Sequence, residues 1–245
     1  LGQQPVVFVR AAHRGIGHRI ETDPALRRLA DASRHGICCL TSRYELGDAL
    51  FERLRGAGCG EPALVAVWSW QAMSLAFRAR TAEAAELVLE GVRRQGVELP
   101  PDGGWQAAVE LEYERLRERL RRHGEHLFDA LPPLADARLA AAAELLCHFP
   151  PRMDERFVQR DWCVLRALRI GWENGRHAAL TSAMPGVAPI AVPRGDLDLC
   201  ATVHAAADRL LAAGAASSYQ RALLRGRHAA RAGDRRLRRG PAAGA

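Results

Sequence analysis

The sequence predicts an α/β protein: a short parallel sheet within residues 1–70, a mainly helical region over 71–216, and an arginine-rich helix or tail over 217–245. Three observations carry this prediction. Short β-branched and aromatic runs alternate with helical periodicity up to about residue 70. Beyond it, apolar residues recur at three- and four-residue spacing. Positive charge then collects at the C-terminus. With 245 residues, 48% of them hydrophobic, the chain can bury a sizeable core.

The elements follow in order. Val6 to Val9 reads as a first strand. Asp23 then offers an N-cap before a favoured N1 proline, Pro24, and Leu26, Leu29, Ala30 and Ser33 share one helical face. Ile37 to Thr41 reads as a second strand. Ser42 and Glu45 have capping-box spacing for a helix whose buried face is Leu46, Ala49, Leu50 and Leu54, stopped by Gly56 and Gly58. Ala63 to Trp68 reads as a third strand, which completes a Rossmann-like β-α-β-α-β order. Helices are then expected near 71–94, 105–130, 135–148, 155–173, 198–213 and 218–238, with one further strand at Val187 to Val192. The paired prolines 100–101, 132–133 and 150–151 and the Asn174-Gly175 step separate them. In the second of these helices Val109, Tyr113, Leu116, Leu120 and Leu127 form the buried stripe, and Glu118 and Arg122 an exposed pair.

Composition removes several mechanisms. All 35 residues counted as lysine or arginine are arginine, so a Schiff-base lysine, a Walker A lysine and a protein-kinase lysine are excluded. The six cysteines at 38, 39, 59, 147, 163 and 200 contain no C-x-x-C pair, and reduced, mostly buried thiols are expected. Apolar stretches are far shorter than the ~20 residues of a membrane-spanning helix, and a cytoplasmic protein without membrane contact is expected. The net charge of +7 is local. Residues 217–245 hold Arg221, Arg225, Arg227, Arg231, Arg235, Arg236, Arg238 and Arg239 against Asp234, and the preceding residues are neutral overall.

The first candidate site is the turn after the first strand. Glycines at 15 and 17 permit close backbone approach by a phosphate, and Arg10, Arg14 and Arg19 could pair with it. Here Val6 to Val9, followed by Arg10 to Gly17, resembles the strand and glycine-rich turn of the short-chain dehydrogenases and reductases. Gly15, Ile16 and Gly17 match that turn, and Ala11 stands where the family has its first glycine. The stretch ending at Thr41, Ser42 and Arg43 is similar to the family's second strand, with Arg43 where a basic residue selects NADP by its 2'-phosphate. The resemblance covers about residues 5–68. It implies NADP or another nucleotide held by Arg14, Gly15, Ile16, Gly17, Arg19 and Arg43. The family's Tyr-x-x-x-Lys pair is absent, so any oxidoreductase chemistry would be non-classical, with His13 the candidate proton-transfer group.

Two other classes compete with this phosphorylated-ligand reading. Cys39, with His177 and Asp196 downstream, has the order of a cysteine-dependent acyl transferase or hydrolase. A non-enzymatic α-helical interaction module would instead use the arginine-rich tail to bind anions or nucleic acid. His123 and His126 have a spacing that could present two imidazoles to a metal, with His148 as a distant third ligand, although core or boundary positions explain them as well. His18 in the opening turn has the same two readings.

Overall fold

The computed structural model describes residues 23–56, 65–149, 157–177 and 179–213, and among them every regular element is helical. The expected Rossmann-like sheet is therefore corrected to an all-helical fold. The sole β-like pairing described is an isolated bridge between Pro133 and Arg176. Strand 6–9 and helix 218–238 lie outside the described residues.

Helix α1 (Pro24–Leu40) begins as the sequence predicts: the Asp23 carboxylate accepts from the Ala25 and Leu26 amides at 2.8 and 3.4 Å, and Pro24 occupies the first turn. It continues through Ile37 to Leu40, where a strand is expected, and ends when Ser42 takes a left-handed φ of 58°. The next helix, α2 (Tyr44–Gly56), thus starts two residues beyond the expected Ser42 cap. Together α1 and α2 form a helical hairpin.

Helix α3 (Val65–Phe77) takes up residues 65–68 of the third expected strand. It buries Val65, Val67, Trp68, Ser69, Gln71, Ala72, Ser74 and Leu75, nearly its whole circumference, and packs on α1, α2, α4 and α6. A helix enclosed in this way has no polar stripe, so its apolar run mimics a buried strand. Ala79, at φ 58°, turns the chain into α4 (Thr81–Arg94), splitting the single helix expected over 71–94. Gly91 lets α4 approach closely: a Cβ there would meet Leu145 and Trp68 at 3.0 and 3.1 Å.

The second half is built on α5 (Trp105–His123), α6 (Ala137–Cys147), α7 (Phe157–Asn174) and α10 (Leu197–Ala212). Val109, Tyr113, Leu116 and Leu120 are buried as their periodicity predicts, but the helix expected over 105–130 ends at Gly124, φ 65°, and Leu127 is buried beyond the 3-10 turn Gly124–His126 that follows. Asp136 caps α6 through the Arg138 and Leu139 amides. Trp105 of α5 meets Trp162 of α7 edge-to-face, with centroids 5.5 Å apart. The remaining expected strand, Val187 to Val192, is a chain of single helical turns: α8 (Leu180–Ala183), a 3-10 turn at Met184–Val187, α9 (Ala188–Ala191) and a 3-10 turn at Val192–Arg194. Pro185, Pro189 and Pro193 each stand in the first turn of one of these pieces. A proline lacks the amide needed to continue the preceding helix but fits the start of a new one, so the four-residue proline spacing divides the segment into turns. Met184, Val187 and Ile190 bury its inner side.

Candidate functional site

The α1–α2–α3 end of the protein combines a buried polar network with a surface pocket. Position 35 of α1 faces α3, and His35 is fully buried. Its Nε2 lies 3.0 Å from Gln71 Oε1, while Gln71 Nε2 donates to Asp48 Oδ1 at 2.6 Å. Arg78 forks onto Asp48, each of its two nitrogens 2.8 Å from a carboxylate oxygen. The carboxylate only accepts, so the Gln71 amide must present its nitrogen to Asp48 and its oxygen to His35. His35 is therefore the Nε2–H tautomer and donates to Gln71. Burial lowers its pKa, against the raising effects of Gln71 and Asp48. Burial alone would raise the Asp48 carboxyl, but its bonds to Arg78 and Gln71 outweigh that and hold it below the ordinary value.

Cys39 Sγ lies 3.5 Å from the same His35 nitrogen. That nitrogen already carries a proton committed to Gln71 and cannot take one from the thiol. Burial also pushes the Cys39 thiol up, with the Ser74 hydroxyl opposing it in part. Cys39 stands in the last turn of α1, where the helix terminus disfavours negative charge. All three effects keep it a thiol. It forms part of the floor of a pocket of about 220 Å³ lined by Leu40, Ser42, Tyr44, Trp70, Met73, Ser74 and Phe77.

The two other members of the cysteine-dependent set have different surroundings. His177 Nε2 donates to the Ala167 carbonyl at 3.1 Å, and burial lowers its pKa. It lines a separate pocket of about 280 Å³ with Val65, three alanines of the α6 segment, Glu144 and Ala179. Asp196 caps α10 through the Leu199 amide, accepts from Tyr113 Oη at 3.0 Å and pairs with Arg117 at 3.0 Å. Burial and Asp196 together push the Tyr113 hydroxyl up to about 12. No hydrogen bond or pocket among the described residues joins Cys39, His177 and Asp196.

Arg43 lies exposed on the turn between two helices, not at the end of a strand. His13, Arg14, Gly15, Ile16, Gly17 and Arg19 lie outside the described residues, as do His18 and the tail. The second strand that would place Arg43 beside a cofactor phosphate is the last turn of α1, so the Rossmann-like nucleotide-binding framework is corrected to a helical hairpin at this point. His123 and His126 are exposed, with His126 paired to Asp129 at 2.7 Å, and no cluster of three metal-binding side chains occurs among the described residues.

Sequence reasoning missed His35, Gln71, Asp48 and Arg78. His35 and Cys39 are four apart, a signal that becomes readable only once residues 37–40 are assigned to a helix. A second missed cluster surrounds Glu112, a nearly buried carboxylate on α5 approached by Arg115, Arg166 and Arg169 at 3.2, 3.6 and 2.9 Å. Burial lowers the pKa of Arg166, and Glu112 opposes that shift. Comparison of the chain with protein-family models, curated proteins and solved structures gives no match. Among the described residues no helix is long and apolar enough to cross a membrane.

Proposed function

We propose that this chain is a helical interaction module that binds polyanions, nucleic acid foremost, through its arginine-rich residues 217–245. The observation that carries this reading is the location of the charge: eight arginines against one aspartate in that stretch, on a body that is neutral overall. Pairing within the body supports it. Arg55 binds Glu90 at 2.7 Å, Arg78 binds Asp48 and Arg169 binds Glu112 and Glu173, so these cations already have protein partners. Closely spaced arginines suit a phosphate backbone because each contact releases a condensed counterion.

The test is fluorescence anisotropy of a labelled duplex DNA with the full chain and with a chain ending at residue 213, across a salt series. If five to eight phosphates are neutralised, the logarithm of the association constant should fall against the logarithm of salt with a slope of about −4 to −7. Removal of the tail should abolish most of that slope and weaken binding at low salt by at least about tenfold. Equal affinity and slope for the two chains would refute the reading.

A further inference from the structure

One face of α6, formed by Ala137, Ala140, Ala141 and Glu144, borders the pocket of about 280 Å³ that His177 also lines. Their spacing of three and four puts these residues on one side of the helix, and three of them are alanines. The pocket is space that longer side chains on this stripe would fill. Val65, Ala141, His177 and Ala179 are buried and make its floor, Glu144 is half-buried, and Ala137 is exposed at its mouth.

Two acceptors of this pocket lack a donor. His177 is 6% exposed, and its Nε2–H donates to the Ala167 carbonyl, so the neutral ring keeps Nδ1 as a lone pair. That atom is buried and has no hydrogen-bond partner. The Glu144 carboxylate joins no ion pair or hydrogen bond among the described residues; the bond to His148 is made by its backbone carbonyl. Other half-buried carboxylates, Asp48 and Glu90, each hold an arginine, whereas none of the described walls of this pocket is an arginine. We propose that the pocket binds a small molecule through a primary ammonium group, which pairs with the Glu144 carboxylate and donates to His177 Nδ1. Two acceptors, one of them anionic, select a donor that carries positive charge. A metal ion would find two protein ligands where three or four are usual, and no cluster of three metal-binding side chains occurs among the described residues. A quaternary ammonium is held by aromatic faces and has no N–H to give Nδ1, and the remaining floor here is valine and alanine. The volume lies just under the ~300 Å³ at which pockets for drug-sized ligands begin, so the amine must be compact.

The inference is independent of polyanion binding, and its test uses no nucleic acid. The full chain at pH 7.5 is titrated to about 20 mM with butylamine, 1-butanol or butyltrimethylammonium, and the ring nitrogens of His177 are followed by NMR. Butylamine should shift Nδ1 saturably, with a dissociation constant at least about tenfold below those of the other two probes. Glu144→Gln should weaken butylamine about tenfold, and Ala140→Leu, which fills the pocket from a half-buried position, should abolish the shift. Glu144→Gln preserves shape and remains decisive if Ala140→Leu perturbs folding. No saturable shift would mean that the pocket holds water alone and would overturn the proposal. Equal binding of butylamine and 1-butanol, or butylamine binding unchanged in Glu144→Gln, would overturn it too.

Discussion

At the scale of single residues, Asp48 organises more than its own ion pair. Its two oxygens receive both Arg78 nitrogens and the Gln71 amide, and through that amide it sets which nitrogen of His35 carries the proton. Asp48→Asn would leave the Arg78 guanidinium, only 18% exposed, without its anion and would free the Gln71 amide to rotate. Asp48 itself is one-third exposed, so water compensates part of the loss, and a destabilisation of about 2 kcal/mol is expected from urea unfolding. The same substitution should broaden or move the His35 ring-nitrogen resonances, whereas an intact tautomer signal would show that Asp48 does not set it. Cys39 makes an adjacent prediction. Because burial and the helix terminus both oppose the thiolate, iodoacetamide at neutral pH should label Cys39 in the folded protein more slowly than in urea. Faster labelling in the folded state would revive the thiol-enzyme reading.

At the scale of elements, the glycines separate two physical causes of helix and turn geometry. Gly175, after α7, has φ 124°, and a Cβ there would lie 2.8 Å from the Pro132 carbonyl oxygen, beside the Pro133–Arg176 bridge. Gly96, after α4, has φ 86° but open space around it. Gly96→Ala should cost about 1 kcal/mol from backbone conformation alone, and Gly175→Ala about 3 kcal/mol because a backbone clash adds to the strain. Equal costs in thermal melts would mean that the Pro132 contact yields freely. The same attention to cause explains what the sequence made legible. The Asp23 cap, the α5 stripe from Val109 to Leu120, the extents of α6 and α10 and the end of α7 follow from local chemistry or from a long amphipathic repeat. The apolar runs at 37–41, 63–68 and 187–192 read as strands because four to six consecutive apolar residues have no usable period. In the fold, Cys38 and Cys39 in the first run are buried, residues 65–68 of the second sit in a helix enclosed on most sides, and the third is cut into turns by prolines. The network around Asp48 was hidden for the same reason, since its members converge only when α1 and α3 are helices.

At the scale of the whole molecule, two buried neutral histidines link the fold to pH. His35 ties α3 to α1 in the first half, and His177 ties the segment after α7 back to that helix in the second. Burial depresses both pKa values below the ordinary 6.5. The unfolded chain therefore takes up protons on these residues as pH falls through about 6.5, before the folded chain does. Their contribution to stability is fully present above that pH and is lost on acidification, until pH drops below the folded values. Each histidine supplies at most about 1.4 kcal/mol per pH unit in that window, so the pair gives a limiting slope of about 2.7 kcal/mol per unit. The carboxylates held below their ordinary values, Asp48 and Asp129 among them, lose their stabilisation only at still lower pH, because their unfolded values lie near 3.8. Denaturant unfolding of the wild type between pH 7.5 and 5 should therefore show falling stability. His35→Gln and His177→Gln should each lower stability at pH 7.5, where the neutral ring and its hydrogen bond are lost, yet each should flatten the pH dependence. In the double variant the curve should be nearly level over the same window. A wild-type curve that is already level would mean that neither ring is held neutral by the fold. A slope removed by one substitution alone would assign the whole effect to that half of the molecule.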